Sequence, residues 1–367
     1  MIVLLLVGAA GAARPANGGS GNAAVSANGR FVAIASSASN LVRGDTNHVY
    51  DVFVRDQGRH TTQRVNVGAH GVQANARTGL AAISASGRYV VMWSDATNLV
   101  AGDTNDVADV FVRDRVSNRT ERASIGPDGR QFASEAGQAA ISADGRYVAF
   151  ESEGQVYVRD RKRRATEAIR RGSMPALSAK GRYVACTDGA GHVVVRDRST
   201  GSTDVVSVDS GGAPLAGTAD VPTISANGRY VAFLLQPHFP DTPKFAPALY
   251  VRDRVAETTT LLASGVGNPA ISADGRTVAY EGGPSGSTQQ VIVQSLASGR
   301  TELVAAGNGP SFTGSGPLSS SGRFVAFYSD ASNLVRGDGN RSTDVFVRDR
   351  QARKTTLVSV ALPGKRS

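Results

Sequence analysis

Three short acidic segments have the residue types and the spacing to bind a cation. Each reads D-x-N-x-x-x-D, and the copies are Asp45-Asn47-Asp51, Asp103-Asn105-Asp109 and Asp338-Asn340-Asp344. Carboxylate and amide oxygens are the ligands that calcium takes, so these segments could hold Ca²⁺. They lack the bidentate Glu of an EF-hand loop, and Asp and Asn side chains also close Asx-turns on their own backbone. We favour Asx-turns, keep calcium as the alternative and expect no other cofactor.

A second recurring carboxylate is placed to form ion pairs. The triplet Val-Arg-Asp puts aspartates at Asp56, Asp114, Asp160, Asp197, Asp253 and Asp349, and a Gly-Arg pair lies upstream of each. Buried charges are normally paired, so contacts between these arginines and carboxylates, within or between repeats, are the simplest expectation. The alternative is a polar pore, with the six aspartates facing a central channel.

Catalytic motifs do not occur in the sequence. The five histidines, His48, His60, His70, His192 and His238, fall at unrelated positions without metal-ligand spacing. Neither a G-x-S-x-G elbow nor an H-E-x-x-H pair occurs. We therefore predict that the protein is not an enzyme.

The elements that position these residues come from a sequence repeat. One ten-residue pattern, written Ile141–Phe150 in its third copy, occurs seven times, with glycines at Gly29, Gly87, Gly145, Gly181, Gly228, Gly275 and Gly322. An Asp-Gly or Asn-Gly pair between two β-rich runs predicts a tight hairpin, because the turn needs positive φ. Third and fourth β-rich runs follow each hairpin, and the repeat length suits a propeller blade. We predict an all-β fold, a seven-bladed β-propeller of four-stranded antiparallel blades.

The predicted boundaries place the acidic segments on one face. Residues 1–20 are expected to form a signal-peptide-like segment and linker, and residues 21–367 a single propeller. The repeats, numbered one to seven here, are expected at about 22–68, 79–126, 137–171, 174–209, 221–264, 268–306 and 315–361. Repeats one, two and seven carry the acidic segments in longer loops between the second and third strands. If the ring closes, these loops are neighbours on the face that also carries the connections between repeats, so we expect binding at that loop-rich face.

Composition and charge indicate a folded chain and limit its partners. Apolar residues make up 41% and charged residues 19% of the sequence, and the net charge is +9. The basic residues are spread through the repeats apart from the run 161–164, and no nucleic-acid-binding motif accompanies that run, so we expect no nucleic acid partner. The apolar start, with an A-x-A match at residues 10–12, predicts export although it lacks a basic leader; the alternative is a strand that pairs with the last repeat. It is too short to span a membrane, and we predict no transmembrane segment.

The repeat resembles a known family. The pattern S-x-[DN]-G-R-[YF]-V-A-F followed by V-[FY]-V-R-D-R is similar to the WD40-like PD40 repeats of the TolB family of β-propellers, from about Asn22 onward. That resemblance implies a protein-binding platform in the bacterial envelope. Similar repeats form the non-catalytic propeller of prolyl-oligopeptidase-type peptidases and the ring of oligogalacturonate lyases, which carries a His-rich metal site. The chain ends soon after its last repeat, where a peptidase would continue into a hydrolase domain, and its histidines do not cluster as the lyase site requires.

We therefore expect a non-enzymatic, exported, monomeric TolB-like propeller of the periplasm, cell envelope or exterior. It would bind a protein or an envelope polymer through its loop-rich face. The alternative is a metal-dependent uronate lyase or another carbohydrate-active propeller enzyme. In that alternative, carboxylates of repeats seven, one and two would be metal ligands or acid/base groups.

Overall fold

The computed structural model describes residues 14–237, 246–283 and 289–362. Regular structure in these residues is β-strand apart from one 3-10 turn at Ala69–Gly71, which confirms the all-β class. The signal-peptide segment at residues 1–13, His238 and most of the Pro-rich loop of repeat five lie outside the described residues. Within the described part, no helix has the length and apolar character needed to cross a membrane.

The strands follow the sequence repeat. Repeat one holds β1 (Ser20–Val25), β2 (Phe31–Ser36), β3 (Asp51–Asp56) and β4 (Thr61–Arg64), and repeat two holds β5 (Thr78–Ile83), β6 (Tyr89–Ser94), β7 (Asp109–Asp114) and β8 (Arg119–Arg122). Repeat three holds β9 (Ala136–Ile141), β10 (Tyr147–Ser152) and β11 (Gln155–Asp160), and β12 (Ala165–Leu177) runs from it into repeat four, which continues with β13 (Tyr183–Asp188), β14 (Val193–Asp197) and β15 (Thr203–Val205). Repeat five holds β16 (Thr218–Ile224), β17 (Tyr230–Gln236), β18 (Ala248–Asp253) and β19 (Thr258–Ser264), and repeat six holds β20 (Gly267–Ile271), β21 (Thr277–Gly282), β22 (Gln290–Ser295) and β23 (Thr301–Leu303). Repeat seven holds β24 (Ser311–Leu318), β25 (Phe324–Ser329), β26 (Asp344–Asp349) and β27 (Lys354–Leu357).

Neighbouring strands within a repeat pair antiparallel in chain order, as meanders. The last and first repeats meet through β24 and β1, which pair parallel at Ala24 and Gly316. The two ends of the chain therefore lie side by side, as a closed ring requires.

Each hairpin turn also forms a contact between repeats. At the first turn, Gly29 has φ +77 and its N–H donates to Ser26 O (2.9 Å), while Ser26 Oγ accepts from Phe31 N (2.9 Å). A Cβ on Gly29 would overlap the ring of Phe324 in repeat seven. Glycine is thus needed both for the positive φ and for the close approach of the neighbouring aromatic ring. The other turn glycines lie in the same way against Phe31, Tyr89, Tyr147, Tyr183, Tyr230 and Thr277.

A circle of backbone hydrogen bonds joins these turns. Ala27 N donates to Ala85 O (2.9 Å), and the same bond links Ala85 to Ala143 (3.1 Å). Equivalent bonds run from Ala143 N to Ala179 O, from Ala179 N to Ala226 O and from Ala226 N to Ala273 O. The circle is completed by bonds from Asp274 N to Ser320 O and from Ser320 N to Ala27 O. The ring is therefore closed by backbone hydrogen bonds as well as by strand pairing.

The core lies between the repeats. The tenth residue of the ten-residue pattern is buried in every repeat, with an exposed fraction of 0 to 4%. These residues are Ile34, Met92, Phe150, Cys186, Phe233, Tyr280 and Phe327. Small alanines or Val91 at the preceding position are also fully buried, so neighbouring sheets pack closely. Cys186 is a core residue as its position in the repeat predicts, and burial raises the pKa of its thiol to about 11.

Residues 14–20 lead into β1 and pack against the end of repeat seven, in the place that a connection between consecutive repeats takes elsewhere. Pro15 bridges to Val360, Ala16 N donates to Ser359 O (3.0 Å), and Ala16 is 1% exposed. Asn17 accepts from Ser39 N (3.0 Å), as Asn75 accepts from Thr97 N (3.1 Å) in the next connection. Glycine and asparagine here serve closely packed turns, which a composition-based linker prediction cannot distinguish from a flexible segment.

Candidate functional site

Antiparallel meanders sort the connections onto two faces. The loops between second and third strands and the connections between repeats emerge on one side, named the loop face here. The turns between first and second and between third and fourth strands emerge on the other, named the turn face. The three acidic segments lie on the loop face, in adjacent repeats seven, one and two, as the sequence predicts.

In repeat one the acidic segment surrounds an arginine. Arg64, which ends β4, places Nη1 3.1 Å from Asp45 Oδ1 and 3.1 Å from Asp51 Oδ2. Asn47 Nδ2 donates to Asp51 Oδ1 (3.0 Å), and Gln73 Oε1 accepts from Arg64 Nη1 (2.6 Å). The guanidinium stands between the two carboxylates, where a calcium ion would also have to sit.

Repeat two has the same arrangement. Arg122 lies 3.4 Å from Asp103 and 3.1 Å from Asp109, and Asn105 Nδ2 donates to Asp109 Oδ2 (3.1 Å). Gln131 takes the place of Gln73 as an acceptor from the arginine. Burial raises the pKa of Asp103 and of Asp109, while the Arg122 charge acts in the opposite direction on both. In both repeats an arginine therefore contacts both carboxylates of the acidic segment, and calcium binding there stays a prediction.

Repeat seven lacks the arginine. In repeat one, Arg64 pairs with Phe53 across the sheet, and Gln73 bridges to Val67. At the equivalent positions of repeat seven, Leu357 pairs with Phe346, and Pro15 bridges to Val360. Asp344 is fully buried and accepts from Ser359 Oγ (2.6 Å) and Asn340 Nδ2 (2.8 Å). Its pKa is raised to about 6, mainly by burial, with a contribution from the Asp338 charge.

The three acidic segments are therefore not equivalent. Each asparagine donates an amide N–H to the carboxylate of the last aspartate of its segment. This contact joins two side chains, whereas the Asx-turn that we favoured joins a side chain to its own backbone. The amide oxygens of Asn47 and Asn105 are buried without a donor in the described part of the chain, whereas Asn340 Oδ1 accepts from Ser342 N (3.1 Å). Calcium stays a prediction, and the charge balance would admit it in repeat seven alone.

The six Val-Arg-Asp carboxylates bind the Gly-Arg arginines of their own repeats. The Nη2–Oδ2 distances are 2.8 Å for Arg30–Asp56 and 2.7 Å for Arg229–Asp253, with the same pairing in the four others, Arg88–Asp114, Arg146–Asp160, Arg182–Asp197 and Arg323–Asp349. The arginine hydrogen bond lowers the pKa of Asp56 to about 2, and backbone N–H groups of the following turn add to the effect. None of the six lines the cavity at the turn-face end of the channel, where Val25, Ala27 and their equivalents lie among the described residues. The ion-pair expectation is confirmed, and the polar-pore alternative is wrong.

A second arginine, which sequence reasoning missed, joins the repeats. Arg161 follows Asp160, and its guanidinium lies 4.3 Å from the ring centroid of Tyr89 in repeat two, which Arg88 also approaches, at 4.9 Å. Arg161 Nε also donates to Glu121 (2.5 Å). The signal was present as the last letter of V-R-D-R, and the same stacking occurs with Arg115, Arg198 and Arg254.

A cavity of about 660 Å³ opens at the loop-face end of the channel. It is lined by the first halves of the first strands, and its large side chains are Trp93, Met174, Tyr328 and the prolines Pro175, Pro222 and Pro269. Its polar groups are amides and hydroxyls, those of Asn22, Gln138, Asn268, Thr223, Thr313 and Ser315. Among the described residues, no Asp, Glu, His, Lys or Arg lines it.

The backbone around this cavity is strained. Asn22, Gln138, Met174, Val221 and Asn268 have φ between +41 and +54 and lie at bulges in the first strands. A β-branched residue such as Val221 is an outlier in this region, and strain of this kind gathers at functional sites. Sequence patterns did not reveal these bulges, because the residue types at the bulges differ from one repeat to the next.

The four histidines in the described part of the chain do not come together. His192 Nδ1 lies 3.5 Å from Asp188 Oδ1, and among the described residues no group of three His, Cys, Asp or Glu side chains is arranged to hold a metal. His48, His60 and His70 lie in exposed turns of repeat one, each with positive φ.

Comparison with known proteins identifies the fold. No family model matches the sequence, and no curated protein is detectably similar to it. The β-propeller domain of the Trilobed protease from Pyrococcus furiosus is similar in structure, with 11% identity over 93% of this chain and 97% of that one and a TM-score of 0.60. Oligogalacturonate lyase from Vibrio parahaemolyticus is similar in structure, with 9% identity over 93% of this chain and 84% of that one and a TM-score of 0.52. TolB from Acinetobacter baumannii has 15% identity over 84% of this chain and 76% of that one, with a TM-score of 0.49. At such identities the likeness concerns the fold, and the propeller that the repeats implied is confirmed.

Proposed function

We propose that this β-propeller is a non-enzymatic, exported binding scaffold, which takes up a segment of a protein or envelope polymer at the channel mouth on its loop face. It acts as a monomer and needs no cofactor. The observation that carries the proposal is the lining of the 660 Å³ cavity: aromatic, proline and amide groups surround it, without a carboxylate, imidazole or amine among the described residues. Such a surface offers apolar contact and hydrogen bonds but no general acid or base.

The proposal includes a ring of seven blades. The circle of backbone hydrogen bonds through residues 27, 85, 143, 179, 226, 273 and 320 supports this number, since it passes once through every repeat. A closed ring holds the channel-mouth groups on rigid strands, and rigid presentation reduces the conformational entropy lost on binding. The strained bulges fit this role because they set side chains at the mouth.

A fluorescence titration tests the proposal. Trp93 is the only tryptophan of the chain and lines the cavity, so its emission reports occupancy. We expect a shift on adding extended peptides that contain proline and aromatic residues. The substitution Ala176→Phe, which narrows the cavity, should abolish the shift, and Ala352→Phe on the turn face should not. A peptide response that survives Ala176→Phe would refute the channel mouth as the site.

The second candidate is a metal-dependent enzyme that acts on uronate polymers. It is favoured by the carboxyl pair of Asp338 and Asp344, for which the described residues supply no arginine neighbour comparable with Arg64. Incubation with oligogalacturonate and Mn²⁺ or Ca²⁺, followed by the absorbance of unsaturated products, tests it. Turnover that disappears in Asp344→Asn would replace the scaffold proposal.

A further inference from the structure

The turn face carries most of the positive charge of the molecule. The turns between first and second strands (residues 26–30 and their equivalents) and between third and fourth strands (56–60, 114–119, 160–164, 197–202, 253–257, 295–300 and 349–354) contain 21 Lys and Arg against 9 Asp and Glu. The whole chain has a net charge of +9, so all other residues together, with 19 Lys and Arg against 22 Asp and Glu, are close to neutral. The net positive charge of the molecule therefore lies in the turns of the turn face.

Part of this charge is already compensated. The six Gly-Arg arginines bind their aspartates, and stacked arginines such as Arg161 and Arg350 bind carboxylates of the preceding repeat. Another set is exposed and, within the described ranges, forms no salt bridge. It includes Arg59, Arg119, Lys162, Lys180, Arg276 and Lys354, one from each of six repeats.

Two exposed valines lie among these charges. Val116 and Val255 occupy the turns between third and fourth strands of repeats two and five and are 71% and 72% exposed, the highest values for large apolar residues in the described part of the chain. Basic residues interleaved with apolar side chains are typical of surfaces that rest on the interface of an anionic membrane.

We infer that the turn face is a docking surface for an anionic lipid bilayer. Six repeats contribute exposed basic residues, so the charge extends around the whole ring. A flat membrane surface can contact all of these turns at once, whereas a linear polyanion would contact only a groove or one side of the ring. Docked in this way, the protein holds its loop face and channel mouth away from the membrane. This orientation is independent of what the channel mouth binds.

Vesicle binding by three triple variants tests the inference. One variant removes charges from repeats two to four (Arg119→Gln, Lys162→Gln, Lys180→Gln), and a second from repeats one, six and seven (Arg59→Gln, Arg276→Gln, Lys354→Gln). The matched control removes three exposed arginines of the loop face (Arg43→Gln, Arg130→Gln, Arg336→Gln) and changes the net charge equally. Each is mixed with vesicles of phosphatidylcholine and phosphatidylglycerol in equal amounts, at about 0.1 M salt, where the Debye length is about 10 Å.

We expect both turn-face variants to lose about a hundredfold in partitioning, since each basic residue near such a surface contributes about fivefold. The control should bind as the unchanged protein does, and all four should keep the same melting temperature. Absence of binding by the unchanged protein, or equal loss in the control, would overturn the inference. Loss of vesicle binding in only one turn-face variant, together with tight binding to a DNA duplex, would also overturn the inference, because that result indicates that the ligand is a linear polyanion.

Discussion

The acidic loops of repeats two and seven share a sequence motif but differ in charge balance. In repeat two, Arg122 forms salt bridges with both Asp103 and Asp109. In repeat seven, leucine replaces the arginine and proline replaces the neighbouring glutamine, and the pKa of Asp344 is raised to about 6, mainly by burial and also by the Asp338 charge. The same seven-residue motif thus builds an arginine-bridged carboxylate cluster in one place and, among the described residues, a carboxyl pair without an arginine in another. The deciding residues lie on the fourth strand and in the next connection.

The largest effect is expected from giving repeat two the leucine of repeat seven. Arg122→Leu leaves Asp109, which is 1% exposed, buried without its cation, and breaking a buried ion pair costs about 3–5 kcal/mol. Urea unfolding of the variant measures this free energy. The control is Arg119→Leu, an exposed arginine at the other end of the same strand, which should change stability by less than about 0.5 kcal/mol. Equal effects of the two substitutions would contradict the ion-cluster interpretation.

The carboxyl pair of repeat seven should make stability depend on pH. Asp344 has a pKa of about 6 in the folded protein and about 4 in the unfolded chain, so the folded state binds the proton more tightly. The stabilising contribution of Asp344 to the free energy of unfolding is complete below pH about 4 and is lost as the pH rises through about 6. The free energy of unfolding changes by roughly 2–3 kcal/mol over this range. The Arg-bound aspartates act in the opposite sense, since their pKa values are lowered and their contribution is lost as the pH falls toward about 2.

Comparison with Asp344→Asn isolates the effect of that one carboxyl group. The difference in unfolding free energy between the unchanged protein and the variant, followed from about pH 4 to pH 8, should fall by the amount given above. Parallel curves would show that the group is not responsible.

A smaller effect, of opposite sign in the two loops, is expected from removing the first aspartate. Asp103→Asn takes a partner from Arg122 and should destabilise the protein by about 1 kcal/mol. Asp338→Asn removes a like charge beside Asp344 and should stabilise the protein at neutral pH by a similar amount. Thermal melts of both variants, side by side, provide the measurement. Destabilisation by both would mean that repeat seven contains a compensating cation after all.

Calcium should produce the smallest effect and only through repeat seven. A weak oxygen site with a Kd near the added concentration stabilises a protein by about 0.4 kcal/mol. We expect millimolar Ca²⁺ to raise the melting temperature slightly in the chelator-stripped protein and in Asp103→Asn, and to have no effect in Asp338→Asn. A loss of the response in Asp103→Asn would place the ion in repeat two instead.

The sequence was most informative where a residue recurs in every repeat. The turn glycines and the Gly-Arg to Asp pairs were predicted because repetition separates architecture from chance. Arg64 and Arg122 were missed because they lie outside the D-x-N-x-x-x-D motif and reach it only through strand pairing. The bulges at Asn22 and Val221 were missed because the residue type at the positive-φ position differs from one repeat to the next.

The bond from Ser320 N to Ala27 O joins residues nearly a whole chain length apart. Contacts of such long sequence separation form late, because the loop-closure entropy must be overcome before they contribute. During synthesis, β1 therefore waits with its outer edge open until β24 has emerged, and an open edge strand is a template for pairing with other chains. We therefore expect the junction between repeats seven and one to be the last part of the ring to assemble.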